Sequence, residues 1–174
     1  MLKKVSIGFL IFIGALLLAA FFLPRGYTVT NSETIGASPD SVLQFMRMLG
    51  NQTRYNEWVM QDPDLNPKIT GEDGTEGAVQ SWDSETAGAG NQTIAQVTAD
   101  KVVMNIVFIR PFPGGATVTN LVADAGDGKT KLTSTFETSS PWPMNLIGYT
   151  LGRSMIETTQ QKNLTNVRRI LENP

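Results

Sequence analysis

The feature that most constrains this chain is the run VSIGFLIFIGALLLAAFFL between Lys4 and Pro24, which is 19 residues long and carries no charge and a single serine. At about 1.5 Å of rise per residue, a helix of that length nearly spans a hydrocarbon layer of roughly 30 Å. The apolar part of a cleaved signal peptide usually covers only about 7–15 residues, and no small-x-small cleavage site precedes Pro24 and Arg25, so the run reads as an uncleaved membrane anchor. Lys3 and Lys4 with the amino terminus outweigh Arg25 on the other flank, which directs the N-terminus to the cytoplasm and the rest of the chain outward. The expected organisation is a single-pass anchor over residues 1–25 in the cell membrane and an extracytoplasmic domain over 26–174.

The chain contains neither cysteine nor histidine. Disulfides, thiolate metal sites, cysteine nucleophiles, the commonest general base and the commonest zinc ligand are therefore excluded. Any acid–base chemistry falls to carboxylates, lysine, tyrosine or hydroxyls. Beyond Arg25 the 16 acidic residues face 11 basic ones, and the longest basic cluster is the pair Arg168 and Arg169, so nucleic acid is not an expected partner.

The soluble part opens with GYTVTNSETIGA, whose β-branched residues predict a strand over about Tyr27 to Ile35. Ser38 then offers an N-cap, Pro39 a first helical position and Asp40 an acidic first turn. Val42, Phe45, Met46 and Leu49 form one apolar face, with Gly50 as the expected stop. A short helix is expected in NQTRYNEWV, followed by breaks at Pro63, Pro67, Gly71, Gly74 and Gly77. From Ala78 the runs AVQSWDSE, NQTIAQVTA, KVVMNIVFI, ATVTNLVAD and TKLTSTFET read as strands joined by short turns. A helix over roughly Met144 to Leu171 closes the chain. Strands segregated from helices make the fold class α+β. A curled antiparallel sheet around one long helix leaves a cavity wherever the two do not touch.

Several stretches occur in a family-like order: TIGASPDSVLQFM, YNEWVMQDPD, GTEGAVQSWDSE, IVFIRPF, GDGKTKLTSTFE and NLTNVRRILEN. Over about Tyr27 to Glu172 the chain resembles the START-related superfamily, also called SRPBCC, and most closely its polyketide cyclase/dehydrase-like branch. The resemblance implies a helix-grip fold with a mostly apolar pocket between the sheet and the last helix. Ser134 stands where members often have a tryptophan, so the pocket's shape does not transfer there.

Asp62, Asp64 and Asn66 fall at positions 1, 3 and 5 of a calcium-loop spacing with Asp73 at 12, but Pro67 occupies the position that needs glycine, and a strand-rich region follows. The eight carboxylates from Glu57 to Glu85 against Lys68 alone read as a solvated rim, with Asp62 and Asp64 facing water. Three acidic side chains in GEDGTEG count against a phosphate cradle. The expected ligand contacts are Trp58 and Trp82, aromatics suited to a pocket wall. They are joined by Met104 and Phe108 on one strand face, Leu132 and Phe136 on another, and Tyr149, Leu151 and Met155 on the last helix. The opposite face of the first of these strands also carries Val103, Val107 and Ile109, so alternation alone leaves its inward side open. Tyr149, Asn105 or Thr133 would supply polar orientation. Gly148 and Gly152, one turn apart, are expected either to allow close packing against the sheet, the preferred reading, or to leave room for a ligand beside Tyr149, Leu151 and Met155.

These readings converge on binding of a small hydrophobic or amphipathic ligand, with no cofactor, metal or catalytic residue assigned. The alternatives are an aromatase/cyclase-like enzyme using Tyr149 and a pocket carboxylate, or an interaction module with a filled core.

Overall fold

The computed structural model describes residues 2–62 and 64–173; the expected break at Pro63 and the terminal Pro174 lie outside the described residues. The apolar run forms α1 (Leu2–Phe22), the one helix among the described residues long and apolar enough to cross a membrane, and almost none of it is covered by the rest of the chain. After β1 (Gly26–Ile35), the Ser38 hydroxyl accepts from the Ser41 amide at 3.3 Å and starts α2 (Pro39–Arg47). This helix buries Val42, Leu43, Phe45 and Met46.

The expected stop at Gly50 is not where α2 ends. Met48 already has extended backbone, and Gly50 lies inside a 3₁₀ turn over Leu49–Asn51. The cause is tertiary: the Asp73 carboxylate accepts from the amides of Leu49 (2.7 Å) and Gly50 (3.0 Å), satisfying donors that a continued helix would have used internally. Two short helices follow, α3 (Gln52–Tyr55) and α4 (Glu57–Met60).

The remaining strands are β2 (Lys68–Thr70), β3 (Val79–Ser84), β4 (Gly88–Val97), β5 (Lys101–Arg110), β6 (Gly114–Gly126) and β7 (Lys129–Ser139). They pair with β1 in the order β1-β7-β6-β5-β4-β3-β2, every neighbour antiparallel. Only the three-residue β2 lacked a sequence expectation of its own.

The closing helix comes in three parts: α5 (Asn145–Ile147), a π-helical turn (Gly148–Gly152) and α6 (Arg153–Glu172). Both glycines are in the π turn, and both face close neighbours. A Cβ on Gly148 would stand 3.0 Å from Ser140 Oγ, and one on Gly152 would stand 3.2 Å from the Tyr27 hydroxyl. Close packing on the sheet is therefore their role.

Hydrogen bonds from Asn31 to Gln161 (3.1 Å) and from Gln161 to Glu33 (3.0 Å), with the Arg168–Glu33 ion pair, tie α6 to β1. The apolar core fills one end of the space between sheet and helices, around Ile35, Val42, Leu49, Ile94, Leu132, Leu164 and Val167. Toward the other end the layers part.

Candidate functional site: a two-chambered apolar cavity

Where α6 and the sheet diverge, two adjoining chambers open. The inner one holds about 120 Å³, between Met104, Ile106 and Phe136 of the sheet, Tyr55 of α3 and Ile156, Gln160 and Leu164 of α6. The outer one holds about 330 Å³, walled by Trp82, Phe108 and Ala87 on the sheet side and by Val59, Leu65, Met155 and Ile156 opposite. Gln52, Trp58, Gln92, Ile106 and Phe136 border both chambers, making them one continuous site. The outer volume alone lies within the range of small-molecule pockets, roughly 300–1,000 Å³.

Strand alternation explains the sheet-side wall. On β5, Val102 and Met104 are buried and Ile106 and Phe108 half-buried, whereas Val107 and Ile109 point to solvent. Trp82 lies over Gly90, its partner on β4, where a Cβ would approach the indole to 2.5 Å and the Val107 carbonyl to 2.6 Å. The missing side chain is what lets the indole come this close to the β4 backbone.

Of the expected ligand contacts, Trp58, Trp82, Met104, Phe108, Phe136 and Met155 line the chambers. Leu132 is fully buried in the closed core, away from both. Tyr149 and Leu151 do not line either chamber; Leu151 is 69 % exposed, and the Arg153 guanidinium stands 5.9 Å over the Tyr149 ring. A π turn holds one residue more than an α turn, so side chains before it are rotated away from the direction a continuous α-helix would give them. Asn105 and Thr133 are on the outer face of the sheet, where Thr117 donates to Asn105 at 3.2 Å.

The polar groups inside are ones the sequence reasoning missed. Gln92 donates to Gln80 Oε1 (2.5 Å), and Gln80 donates to the Leu49 carbonyl (3.1 Å). Asn56 donates to Gln52 Oε1 (3.0 Å), and Gln160 donates to Ser134 Oγ (2.9 Å). Gln160 is 8 % exposed, and its Oε1 has no hydrogen-bond partner. The legible signal was register: Gln80 shares a strand face with Trp82 and pairs directly with Gln92, which pairs with Ile106.

Among the described residues, no Asp, Glu, Lys or Arg lines either chamber. The one titratable group inside is Tyr55, fully buried, whose phenol burial pushes well above its ordinary value, so it stays protonated. The acidic stretch is put to structural use. Contrary to expectation Asp62 does not face water: it is 7 % exposed and accepts from Ser84 Oγ (2.5 Å) and the Asp64 amide (3.2 Å). Asp73 holds the 3₁₀ turn, Glu57 accepts from Asn166 (2.8 Å) and Glu76 accepts from the Val97 amide (2.9 Å). No group of three or more Asp or Glu among the described residues is placed to hold a metal ion.

A curved seven-stranded antiparallel sheet gripping a long C-terminal helix, with a cavity between them, defines the helix-grip class. The solved structures similar to this chain are of that START-related, or SRPBCC, type. Norcoclaurine synthase from Thalictrum flavum superposes with a TM-score of 0.63 at 11% identity, covering 86% of this chain and 88% of that one. Ara h 8.0201 gives 0.60 at 12% identity, covering 86% and 99%. Aha1 from Colwellia psychrerythraea gives 0.57 at 14%, covering 84% and 97%. At such identities the likeness is one of fold. No family model and no curated protein sequence matches the chain.

Proposed function

We propose that this protein is a membrane-anchored receptor or carrier for a small, uncharged, mainly apolar molecule held between the sheet and α6. The observation that carries this reading is the composition of the two-chambered wall: aromatic and aliphatic side chains, a few amides, and no charge. Each 100 Å² of apolar guest surface removed from water would contribute about 2.5 kcal/mol. A charged guest would lose its hydration with no counter-ion to meet it. The unpartnered Gln160 Oε1 favours a guest that brings a hydroxyl or N–H to the inner chamber.

Anchoring is supported by the length and exposure of α1, and Lys3 and Lys4 against Arg25 favour a domain on the extracytoplasmic side. The enzyme alternative needs a carboxylate beside Tyr149 in the pocket, and neither group borders it. An interaction module with a filled core fits poorly with an outer chamber of about 330 Å³.

Native mass spectrometry of the full chain released from lipid nanodiscs tests the binding reading. A reproducible adduct, recovered by solvent extraction as a neutral molecule, is the expected result. A consistently empty chain, or an anionic or cationic adduct, would overturn it.

A further inference from the structure

The strand registers bring one rim of the sheet to the end of the anchor. Gly26 pairs with Ser139, Ser139 with Gly115, Gly114 with Phe108, and Arg110 with Ala89. The start of β1, the end of β7, the start of β6, the end of β5 and the start of β4 therefore all lie at the end of the sheet from which α1 departs. The segment after β7 is bonded to α1 directly. The Trp142 indole N–H donates to the Leu17 carbonyl (3.2 Å), and the Asn145 side-chain amide donates to the carbonyls of Ala20 (2.7 Å) and Leu23 (3.1 Å). Ala20 and Leu23 belong to the stretch where carbonyls lack partners within the helix, so Asn145 acts as a cap from outside. Leu17 is about 7–8 Å back along the axis from the end of α1. In a spanning α1, that depth puts Trp142 in the interfacial belt where indoles collect.

The same rim carries large apolar side chains with little cover. Phe112, in the loop between β5 and β6, is 68 % exposed, and Ile147, Leu151 and Met155 are each more than half exposed. Those three recur every four residues from α5 through the π turn to the start of α6, close to one full turn in either helix geometry, so they fall on one side of the closing helix. Their stripe begins beside the segment bonded to α1 and ends at Met155, which lines the outer chamber together with Ala87 and Phe108 from the rim of the sheet. An apolar surface of this kind marks a docking face. Here the medium that covers it is the one α1 requires, because α1 and the stripe are joined through Asn145.

We propose that this rim seats on the lipid bilayer with Phe112, Leu151 and Met155 in its interfacial layer. The outer chamber then opens onto the membrane, and an apolar guest moves sideways between bilayer and cavity without entering bulk water. The proposal rests on the anchor reading of α1, and the test separates the two.

Because the chain has no cysteine, single replacements give unambiguous labelling. The full chain carrying Phe112→Cys, Leu151→Cys, Lys129→Cys or Leu10→Cys is spin-labelled and reconstituted in phosphatidylcholine/phosphatidylglycerol (3:1) vesicles. Accessibility to oxygen and to a water-soluble nickel chelate is then read by power saturation. All four side chains are exposed, so labelling leaves the core intact. Lys129, at the opposite end of β7 and about 33 Å along the strand from Ser139, reports water. Labels at 112 and 151 are expected to favour oxygen several-fold over their ratio at 129, as the label at 10 does. Labels at 112 and 151 matching 129 while 10 reports lipid would overturn the docking proposal and leave the anchor standing. A label at 10 that reports water would remove both.

Discussion

Gln160 of α6 donates to the Ser134 hydroxyl of β7 across 2.9 Å, while its own carbonyl oxygen remains unpaired at the wall of the inner chamber. Gln160→Leu removes one hydrogen bond and one unsatisfied buried acceptor together. The lost acceptor offsets only part of the cost of leaving the buried Ser134 hydroxyl without its partner, so folding stability is expected to fall by about 1–2 kcal/mol, measured by urea unfolding of the full chain in detergent micelles. Affinity for the guest should fall by about tenfold, the equivalent of one lost hydrogen bond at about 1.4 kcal/mol, and co-purified occupancy should fall with it. Unchanged occupancy would show that the amide does not touch the guest.

The contact between Trp82 and Gly90 is backed by main chain as well as by the indole. Alanine at position 90 would press on the Val107 carbonyl, which cannot swing aside as a flexible side chain can. Gly90→Ala is expected to destabilise the domain by about 1–3 kcal/mol and to lift Trp82 into the outer chamber. A lower urea midpoint with a shifted tryptophan emission maximum would report both; a wild-type midpoint would mean that the strands spread at no cost.

Tyr55 ionises at an ordinary value of 10.0 when unfolded and, by burial, well above it when folded. The neutral phenol thus favours the native state, a contribution fully present below pH 10 and lost as pH climbs toward the raised value. Stability should fall by about 1.4 kcal/mol for each pH unit above 10 from this one proton. Tyr27, also raised by burial, adds to that decline. Tyr55→Phe should flatten the profile between pH 10 and pH 11 relative to wild type, compared as urea midpoints at pH 8, 10 and 11.

The elements legible in the sequence are those set by local chemistry. Ser38 and Pro39 start α2 where the cap and the fixed φ require it, and the strands follow from two-residue periodicity that needs no partner to be seen. What escaped depends on contacts distant in sequence. Gly50 looks like a helix stop until Asp73, 23 residues on, is seen to hold its amide. A glutamine in a strand reads as an outward polar residue, and only the pairing of Gln80 with Gln92 shows two of them inside, Gln92 donating to Gln80 and Gln80 donating on to the Leu49 carbonyl. Regular helical spacing puts Leu151 on the pocket face, and the π turn, invisible to that spacing, turns it outward. Trp58, Trp82, Phe108 and Phe136 were therefore readable as cavity wall, whereas Tyr149 lies outside the chambers, and Tyr55 and the polar lining were not foreseen.

Phe108 and Phe136 both border the outer chamber, yet they stand in different surroundings. Phe136 is buried and stacks on Tyr27 with ring centroids 6.4 Å apart, so it belongs to the core as much as to the cavity. Phe108 is half-buried, near the open end of β5, with the cavity on one side. Phe136→Ala should cost about 3–5 kcal/mol of stability, as loss of a packed aromatic does. Phe108→Ala removes a smaller buried area and should cost about 1–1.5 kcal/mol. The order reverses for the guest if the outer chamber is the binding site: Phe108→Ala, still folded, should lose most of the co-purified molecule in native mass spectra. Full occupancy in that variant would place the guest elsewhere, because an apolar wall cannot be cut back from a bound apolar molecule without loss of affinity.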